Sequence, residues 1–243
     1  MKVIKNVSYD NRYPECTLDI YLPDINPSPV FIYFHGGGLE SGSKEEISED
    51  LKQLPNHNIA LVSVGYRLYP QAKYPDFILD VAKAINFIKE YNKDKQLFSD
   101  IYVGGTSAGG YLAMMLYFDR RYLGEYGIDP DEFKGWVFDA GQPTVHFNVL
   151  RERGLDTRLV RIDEGAPLYF INKDIDNEKQ TKLLFIVAEH DLPNRYEQTM
   201  LLLKTLDQFN YDMTKVKLVI MLGYNHATYS ICEEVNKFIK GIN

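Results

Sequence analysis

A serine between glycines forms the strongest chemical motif of this sequence. Gly105–Gly109 reads Gly-Thr-Ser-Ala-Gly and places Ser107 at the centre of a G-x-S-x-G pattern. The pattern follows an apolar run, Ile101–Gly104, and precedes a helical run that begins at Ala108. A nucleophilic serine of this kind occupies a sharp turn from a strand into a helix. The context therefore indicates a nucleophile, with simple packing of small residues as the alternative.

A second glycine motif, His35-Gly36-Gly37-Gly38, follows the predicted strand Val30–Phe34. Ester cleavage passes through a tetrahedral intermediate with a negative oxygen, which backbone N–H groups can stabilise. We predict Gly37 and Gly38 as two of these donors, joined by the N–H group of Ala108. A flexible turn is the alternative. Phosphate binding is disfavoured, because neither a P-loop nor a G-x-G-x-x-G pattern is present.

A serine nucleophile needs a general base and a carboxylate that orients this base. His226 follows the last predicted strand and precedes a C-terminal helical run. Asp191 follows the penultimate predicted strand, with Glu189 as the alternative acid. Asp191 could instead cap the helix that begins at Arg195. We predict that Ser107, Asp191 and His226 act together in catalysis.

Composition and charge narrow the class of protein. The 243 residues are 45% hydrophobic and 25% charged, and the formal net charge is −7. This is typical of one globular domain, and the interspersed charges disfavour a nucleic-acid-binding surface. Neither a secretory signal nor a bilayer-spanning apolar run is visible. The sequence thus predicts a single domain over residues 1–243 and a cytoplasmic protein that does not bind membranes, with a homodimer as a possible state.

Two isolated cysteines, Cys16 and Cys232, form no metal-binding or redox motif. We expect both to be reduced thiols. No cofactor and no metal ion is predicted.

Short apolar runs alternate with amphipathic segments along the chain, which predicts an α/β fold with a mostly parallel sheet and helices on both faces. The first one or two strands could be antiparallel edges. Residues 140–182 carry no clear strand, and we predict a short lid insertion with a helix near Thr144–Arg153. The predicted strands are Thr17–Leu22, Val30–Phe34, Ala60–Val64, Ile101–Gly104, Gly135–Phe138, Leu183–Ala188 and Val216–Met221. The predicted helices are Asp76–Tyr91, Ala108–Phe118, Arg195–Phe209 and Ala227–Ile239.

With these motifs in place, the chain resembles the hormone-sensitive-lipase-like esterases of the α/β-hydrolase superfamily over nearly its whole length. Phe34–Gly38 is similar to the oxyanion motif of the family, and Ala188–Pro193 to the segment that carries its acid. Gly65–Pro70 is similar to a D-Y-R-L-A-P segment, with Gly65 in place of the usual aspartate. Because few residues precede the strand before His35-Gly36-Gly37-Gly38, the chain also resembles the smaller feruloyl-esterase-like and kynurenine-formamidase-like hydrolases.

The resemblance implies a serine carboxylesterase that acts on small or short-chain esters and needs no cofactor. An amidase or formamidase with the same three residues is the first alternative. A catalytically silent ligand-binding protein on the same fold is the second. Four arginines in the insertion could bind an acidic substrate, although interspersed charges are more typical of a solvated face. They are Arg151, Arg153, Arg158 and Arg161.

Overall fold

The computed structural model describes residues 1–172 and 179–242 of the chain. Within these residues eight strands form one sheet. They are β1 (Lys2–Ser8), β2 (Thr17–Leu22), β3 (Ser28–Phe34), β4 (Ala60–Val64), β5 (Phe98–Thr106), β6 (Gly135–Asp139), β7 (Lys182–His190) and β8 (Val216–Asn225).

The described residues also contain six α-helices and four short 3₁₀ segments. The helices are α1 (Asp76–Lys95), α2 (Ala108–Phe118), α3 (Arg121–Gly124), α4 (Phe147–Glu152), α5 (Arg195–Gln208) and α6 (Cys232–Lys240). The 3₁₀ segments are Leu51–His57, Pro130–Glu132, Pro167–Phe170 and Met213–Lys215.

The sheet runs in the order β1-β2-β4-β3-β5-β6-β7-β8. Strand β2 is antiparallel to both of its neighbours, and every pair from β4 to β8 is parallel. The central strands β4 and β6 are buried along their whole length, as expected for strands covered by helices on both faces. The predicted α/β architecture, with one or two antiparallel strands at the edge, is confirmed.

Two hydrophobic clusters cover the two faces of the sheet. The larger one joins α1, α2 and α5 to one face, and every residue of α2 is buried. The smaller one joins α6 and the 3₁₀ segment Leu51–His57 to the other face. Because α2 begins directly after β5, its burial holds the strand-to-helix turn at Ser107 against the centre of the sheet.

The element boundaries differ from the predictions at both ends of the chain. Strand β1 was not predicted, because lysine and asparagine interrupt its apolar pattern and it lies at an exposed edge. The last helix begins at Cys232 rather than at Ala227. A turn precedes it, in which the N–H group of Thr228 donates to the carbonyl of Asn225 over 3.2 Å. Ala227 itself has a positive φ of 51°, which a helix does not allow.

The segment predicted as an insertion contains α4 and the 3₁₀ segment Pro167–Phe170, and no strand in its described part. Its residues 173–178 lie outside the described residues. Helix α4 is shorter than the predicted helix Thr144–Arg153. His146 is its N-cap, and the side chain of His146 accepts from the N–H group of Asn148. The hydroxyl of Tyr111 in α2 donates to the carbonyl of Gly165 over 2.8 Å, which ties this segment to the helix after Ser107.

No helix in the described ranges is long and apolar enough to cross a bilayer. Cys16 and Cys232 are both buried and unpaired, and they belong to different hydrophobic clusters.

Candidate active site

Ser107 lies in the turn between β5 and α2. Its backbone has φ 57° and ψ −112°, a strained conformation for a residue with a side chain. Two hydrogen bonds hold it there. Its N–H group donates to the carbonyl of Asp139 over 2.8 Å, and its own carbonyl accepts from the N–H group of Tyr111 over 2.9 Å. The turn thus presents the hydroxyl at the carboxyl edge of the sheet.

The glycines of the motif allow close backbone approach in this turn. A Cβ atom on Gly109 would lie 1.9 Å from the carbonyl oxygen of Phe34, and one on Gly105 would lie 2.5 Å from the same atom. Both contacts are impossible for a real side chain. The motif therefore serves to bring the start of α2 against the end of β3, next to the glycine loop.

The structure brings together the three side chains predicted to act in catalysis. The Ser107 hydroxyl lies 2.8 Å from Nε2 of His226, and Nδ1 of His226 lies 2.6 Å from Oδ1 of Asp191. His226 comes from the loop after β8, and Asp191 from the loop after β7. Because β5, β7 and β8 are parallel, their carboxyl ends lie at one edge, and residues 119 positions apart can meet there.

Asp191 has the environment of an ionised carboxylate. Burial alone would raise its pKa, but the hydrogen bond from His226 and those from two backbone N–H groups lower the pKa of this carboxyl overall. The backbone donors are Leu192 at 2.7 Å and Ala188 at 3.2 Å. An ionised carboxylate can only accept, so Nδ1 of His226 carries the proton and Nε2 is free to accept from Ser107.

The structure does not match either alternative, Glu189 as the acid or Asp191 as the cap of α5. The carboxylate of Glu189 accepts from the N–H group of Gly223 over 2.7 Å and is not the partner of His226. The N-cap of α5 is Asn194 rather than Asp191.

The glycine loop lies beside Ser107. A Cβ atom on Gly36 would be 3.5 Å from the Cβ of Ser107. Gly37 has φ 108°, and a Cβ atom there would lie 2.0 Å from the carbonyl oxygen of Ser41. The carbonyl of Gly37 accepts from the N–H group of Ser41 over 2.9 Å, which closes the loop into a fixed turn. Only glycine fits at position 37, so the loop has one fixed conformation and is not a flexible turn.

His35 has a structural place at the base of this loop. Its ring is 2% exposed, stacks on Tyr66 at 4.2 Å between centroids, and contacts the carbonyl of Gly36 at 2.7 Å. Burial lowers the pKa of His35, which favours the neutral form of the ring. The hydroxyl of Tyr66 donates to the carbonyl of His35 over 2.8 Å. These contacts fix the strand end from which the glycines extend.

Helix α4 lies over the glycine loop, a contact that the sequence did not reveal. The ring of Phe147 reaches within 3.0 Å of where a Cβ atom on Gly38 would stand. Arg151 of the same helix forms an ion pair with Glu40. Two other aromatic residues of the insertion, Tyr169 and Phe170, line a different cavity of about 410 Å³ that no predicted site residue borders.

The four arginines of the insertion are all paired with carboxylates. Besides the Arg151–Glu40 pair, Arg153 and Arg161 share Asp163, at 2.9 and 2.5 Å. Arg158 pairs with Asp156 at 2.5 Å. This arrangement favours a solvated, charge-balanced face over a cluster that binds an acidic substrate.

The segment after β4, Gly65–Pro70, departs from the D-Y-R-L-A-P pattern at Gly65 for a steric reason. A Cβ atom on Gly65 would lie 2.6 Å from the carbonyl oxygen of Glu15, so an aspartate does not fit. Arg67 forms a bidentate pair with buried Asp80 of α1, at 2.8 and 2.7 Å. This pair ties the end of β4 to α1.

Asp139 and Tyr229 are further polar residues at the site that sequence reasoning missed. Asp139 is the last residue of β6, and its Oδ1 accepts from the hydroxyl of Tyr229 over 2.6 Å. The signal was present, because the predicted strand Gly135–Phe138 ends one residue before a carboxylate.

A polar cavity of about 300 Å³ adjoins the site on the side of α6. Its wall includes Gly36 and Gly37 of the glycine loop, Thr106 before Ser107, and Ala227 after His226. In the part of the chain that the structure describes, no group of three or more His, Cys, Asp or Glu side chains could hold a metal ion.

The chain is similar to known esterases and formamidases. A family model described as BD-FAE matches residues 18–126. Kynurenine formamidase of Danio rerio is 32% identical over 197 residues, which cover 78% of this chain and 64% of that protein. Esterase LipI of Mycobacterium tuberculosis (strain ATCC 25618 / H37Rv) is 35% identical over 106 residues, 42% of this chain and 32% of that protein. The chain thus spans less than two thirds of either curated relative.

The fold is shared with solved esterase structures. A truncated carbohydrate esterase from gut microbiota superposes with a TM-score of 0.79 at 18% identity, covering 99% of this chain and 96% of that one. The chain therefore has an α/β-hydrolase fold, and its sequence is similar to the hormone-sensitive-lipase-like and small carboxylesterases of that superfamily.

Proposed function

We propose that the protein is a serine carboxylesterase that hydrolyses small esters through an acyl-enzyme on Ser107. The observation that carries this proposal is the pair of hydrogen bonds, at 2.8 and 2.6 Å, that joins Ser107 to His226 and His226 to Asp191. An oriented base of this kind activates a serine hydroxyl, which is a weak nucleophile on its own.

The geometry supports a reaction in two steps. The Ser107 hydroxyl gives its proton to Nε2 of His226 as its oxygen attacks the ester carbonyl. The N–H groups of Gly37, Gly38 and Ala108 then hold the negative oxygen of the tetrahedral intermediate. Ala108 is the first residue of α2, so its N–H group has no acceptor inside the helix and is available for this role.

Collapse of the intermediate breaks the bond to the alcohol oxygen, which takes the proton from His226. Water then attacks the acyl-enzyme with His226 again as base, and Ser107 recovers its proton when the acid leaves. The Asp191 carboxylate stabilises the imidazolium that forms in both steps.

Contacts above the glycine loop favour a short acyl group. The leaving oxygen must face His226, so the acyl chain points away from the imidazole. Phe147 closes that side of the loop, since its ring comes within 3.0 Å of where a Cβ atom on Gly38 would stand. Substrates with acetyl to butyryl groups therefore fit best.

The proposal is tested by steady-state hydrolysis of p-nitrophenyl acetate and butyrate. We expect Ser107→Ala and His226→Ala to lose activity by about 10⁴-fold or more, and each loss to be similar because the residues act as a unit. Circular dichroism should show both variants folded. A folded Ser107→Ala variant with the wild-type rate would contradict the proposal.

A formamidase reaction is a second candidate, favoured by the match to kynurenine formamidase of Danio rerio. The same residues would serve, but His226 must protonate an amine, which is a poorer leaving group than an alcohol. Matched aryl formates and N-formyl arylamines separate the two. A higher kcat/KM for the N-formyl arylamine would favour the formamidase.

A further inference from the structure

A partly buried hydrogen bond anchors the loop that carries His226. Tyr229 follows His226 by three residues and is half-buried, whereas Tyr224, Asn225 and Thr228 of the same loop are exposed. Its hydroxyl donates to Asp139, whose side chain is 1% exposed. Tyr229 thus connects an exposed loop to the buried end of β6.

Asp139 contacts the nucleophile side of the site as well. Its carbonyl accepts from the N–H group of Ser107 over 2.8 Å, and β6 pairs Asp139 with Thr106 in register. The same residue therefore holds the backbone of Ser107 through its main chain and the loop of His226 through its side chain. A shift of Asp139 or loss of its partner would change the relative position of the two.

Apart from the bonds of His226 itself to Asp191 and Ser107, the other hydrogen bonds of the loop restrain it less. The turn between Asn225 and Thr228 is internal to the loop and exposed. The bond from the N–H group of Gly223 to Glu189 is exposed too. Solvent competes for such bonds, so they open at little cost. Among these contacts, the Tyr229–Asp139 bond is the one partly shielded from solvent.

Burial of the Asp139 carboxyl carries a free-energy cost. Desolvation raises its pKa to about 6, although hydrogen bonds from Tyr229 and Thr106 oppose the shift. The titratable groups that face the pair are His226 and Asp191 near Asp139, and Arg195 of α5 near Tyr229. The pair therefore lies against the site and not in a remote part of the core.

We propose that Asp139 and Tyr229 are positioning residues, which fix the loop after β8 so that the imidazole of His226 stays within reach of Ser107. This inference rests on the proposed function. Neither side chain needs to touch the substrate. A displacement of about 1 Å at a catalytic group can lower the rate on the order of 10²-fold, so a single anchoring bond can have a large effect on kcat.

Tyr229→Phe removes the hydroxyl and keeps the ring. Hydrolysis of p-nitrophenyl butyrate is measured per active site, with the sites titrated by a fluorophosphonate. We expect kcat to fall about tenfold or more while KM stays within twofold of wild type. Tyr224→Phe is the matched control, because this exposed tyrosine lies in the same loop and its ring centroid is 5.8 Å from that of Tyr229. It should keep kcat within twofold.

Two substitutions of Asp139 complete the test. Asp139→Asn keeps an oxygen acceptor and should retain several-fold more kcat than Asp139→Ala. The double variant Asp139→Ala/Tyr229→Phe should lose no more than Asp139→Ala alone, because both changes remove one interaction.

If the Tyr229–Asp139 pair contributed only to folding stability, the result would differ. Tyr229→Phe would then lower the unfolding midpoint and the fraction of titratable sites but leave kcat per site within twofold of wild type. That result, or additive losses in the double variant, would overturn the inference. A wild-type protein that neither hydrolyses esters nor reacts with the fluorophosphonate would instead contradict the proposed function.

Discussion

Individual residues at the site have conformations that only the surrounding packing can maintain. Ser107 has a positive φ, and Gly37 has φ 108° with a neighbouring carbonyl where a side chain would be. Strain of this kind costs free energy and is typical of functional sites. The buried start of α2 and the closed turn of the glycine loop hold both residues, so the hydroxyl and the proposed N–H donors are placed before a substrate binds.

We predict that Gly37→Ala lowers kcat by about 10²–10³-fold, because the loop must move to relieve a 2.0 Å contact and one donor is lost. Gly127→Ala is the control, since Gly127 also has a positive φ of 65° but open space around it. It should cost about 1 kcal/mol of stability and leave kcat unchanged. Equal kcat values for the two variants would contradict the role of Gly37.

At the scale of elements, α4 is held over the glycine loop from two sides. Phe147 packs on Gly38, the Arg151–Glu40 ion pair lies further along the helix, and Glu152 accepts from the N–H group of Tyr74 over 2.9 Å. The helix has fewer than two turns, so these contacts rather than intrinsic propensity keep it in place. Its position sets the space beside the proposed oxyanion site.

We predict that Phe147→Ala raises kcat/KM for p-nitrophenyl octanoate relative to the acetate by about tenfold or more, because removal of the ring opens room for a longer acyl chain. Phe170→Ala is the control, as this ring belongs to the same segment but lines the 410 Å³ cavity. It should leave the chain-length profile unchanged. A profile that shifts with the alcohol and not with the acyl chain would show that Phe147 contacts the leaving group.

Across the whole molecule, the parallel sheet is what makes distant residues meet. Continuous apolar runs predicted the strands from Thr17–Leu22 to Val216–Met221, and the order of the motifs predicted that Ser107, Asp191 and His226 would share one edge. Other features depend on spatial pairing that periodicity does not encode. Exposed β1 has no clear apolar alternation, and the Tyr229–Asp139 bond joins residues 90 positions apart. The predicted homodimer and cytoplasmic location stay predictions.

The buried Asp139 carboxyl makes stability depend on pH. Its pKa is about 6 in the folded protein, whereas an aspartate exposed to water has a pKa of 3.8. Between these values the folded state therefore holds a proton that the unfolded state has lost. Stability from this group falls as pH rises from about 4 to 6, by at most about 1.4 kcal/mol per pH unit, and stays constant above.

Urea unfolding of wild type and Asp139→Asn across this range checks the prediction, because other groups cancel in the difference. Wild type should lose stability relative to the variant as pH rises. A difference that is independent of pH, or that changes in the opposite direction, would contradict the buried state of Asp139.

The central claim is that Ser107 is a nucleophile activated by His226. Its most direct test is reaction with a fluorophosphonate, followed by mass spectrometry of the intact protein and its peptides. We predict one phosphonyl group per chain, on the peptide that contains Ser107, much slower labelling of His226→Ala and none of Ser107→Ala. Wild-type protein that stays unlabelled, or that is labelled equally well in Ser107→Ala, would contradict the account.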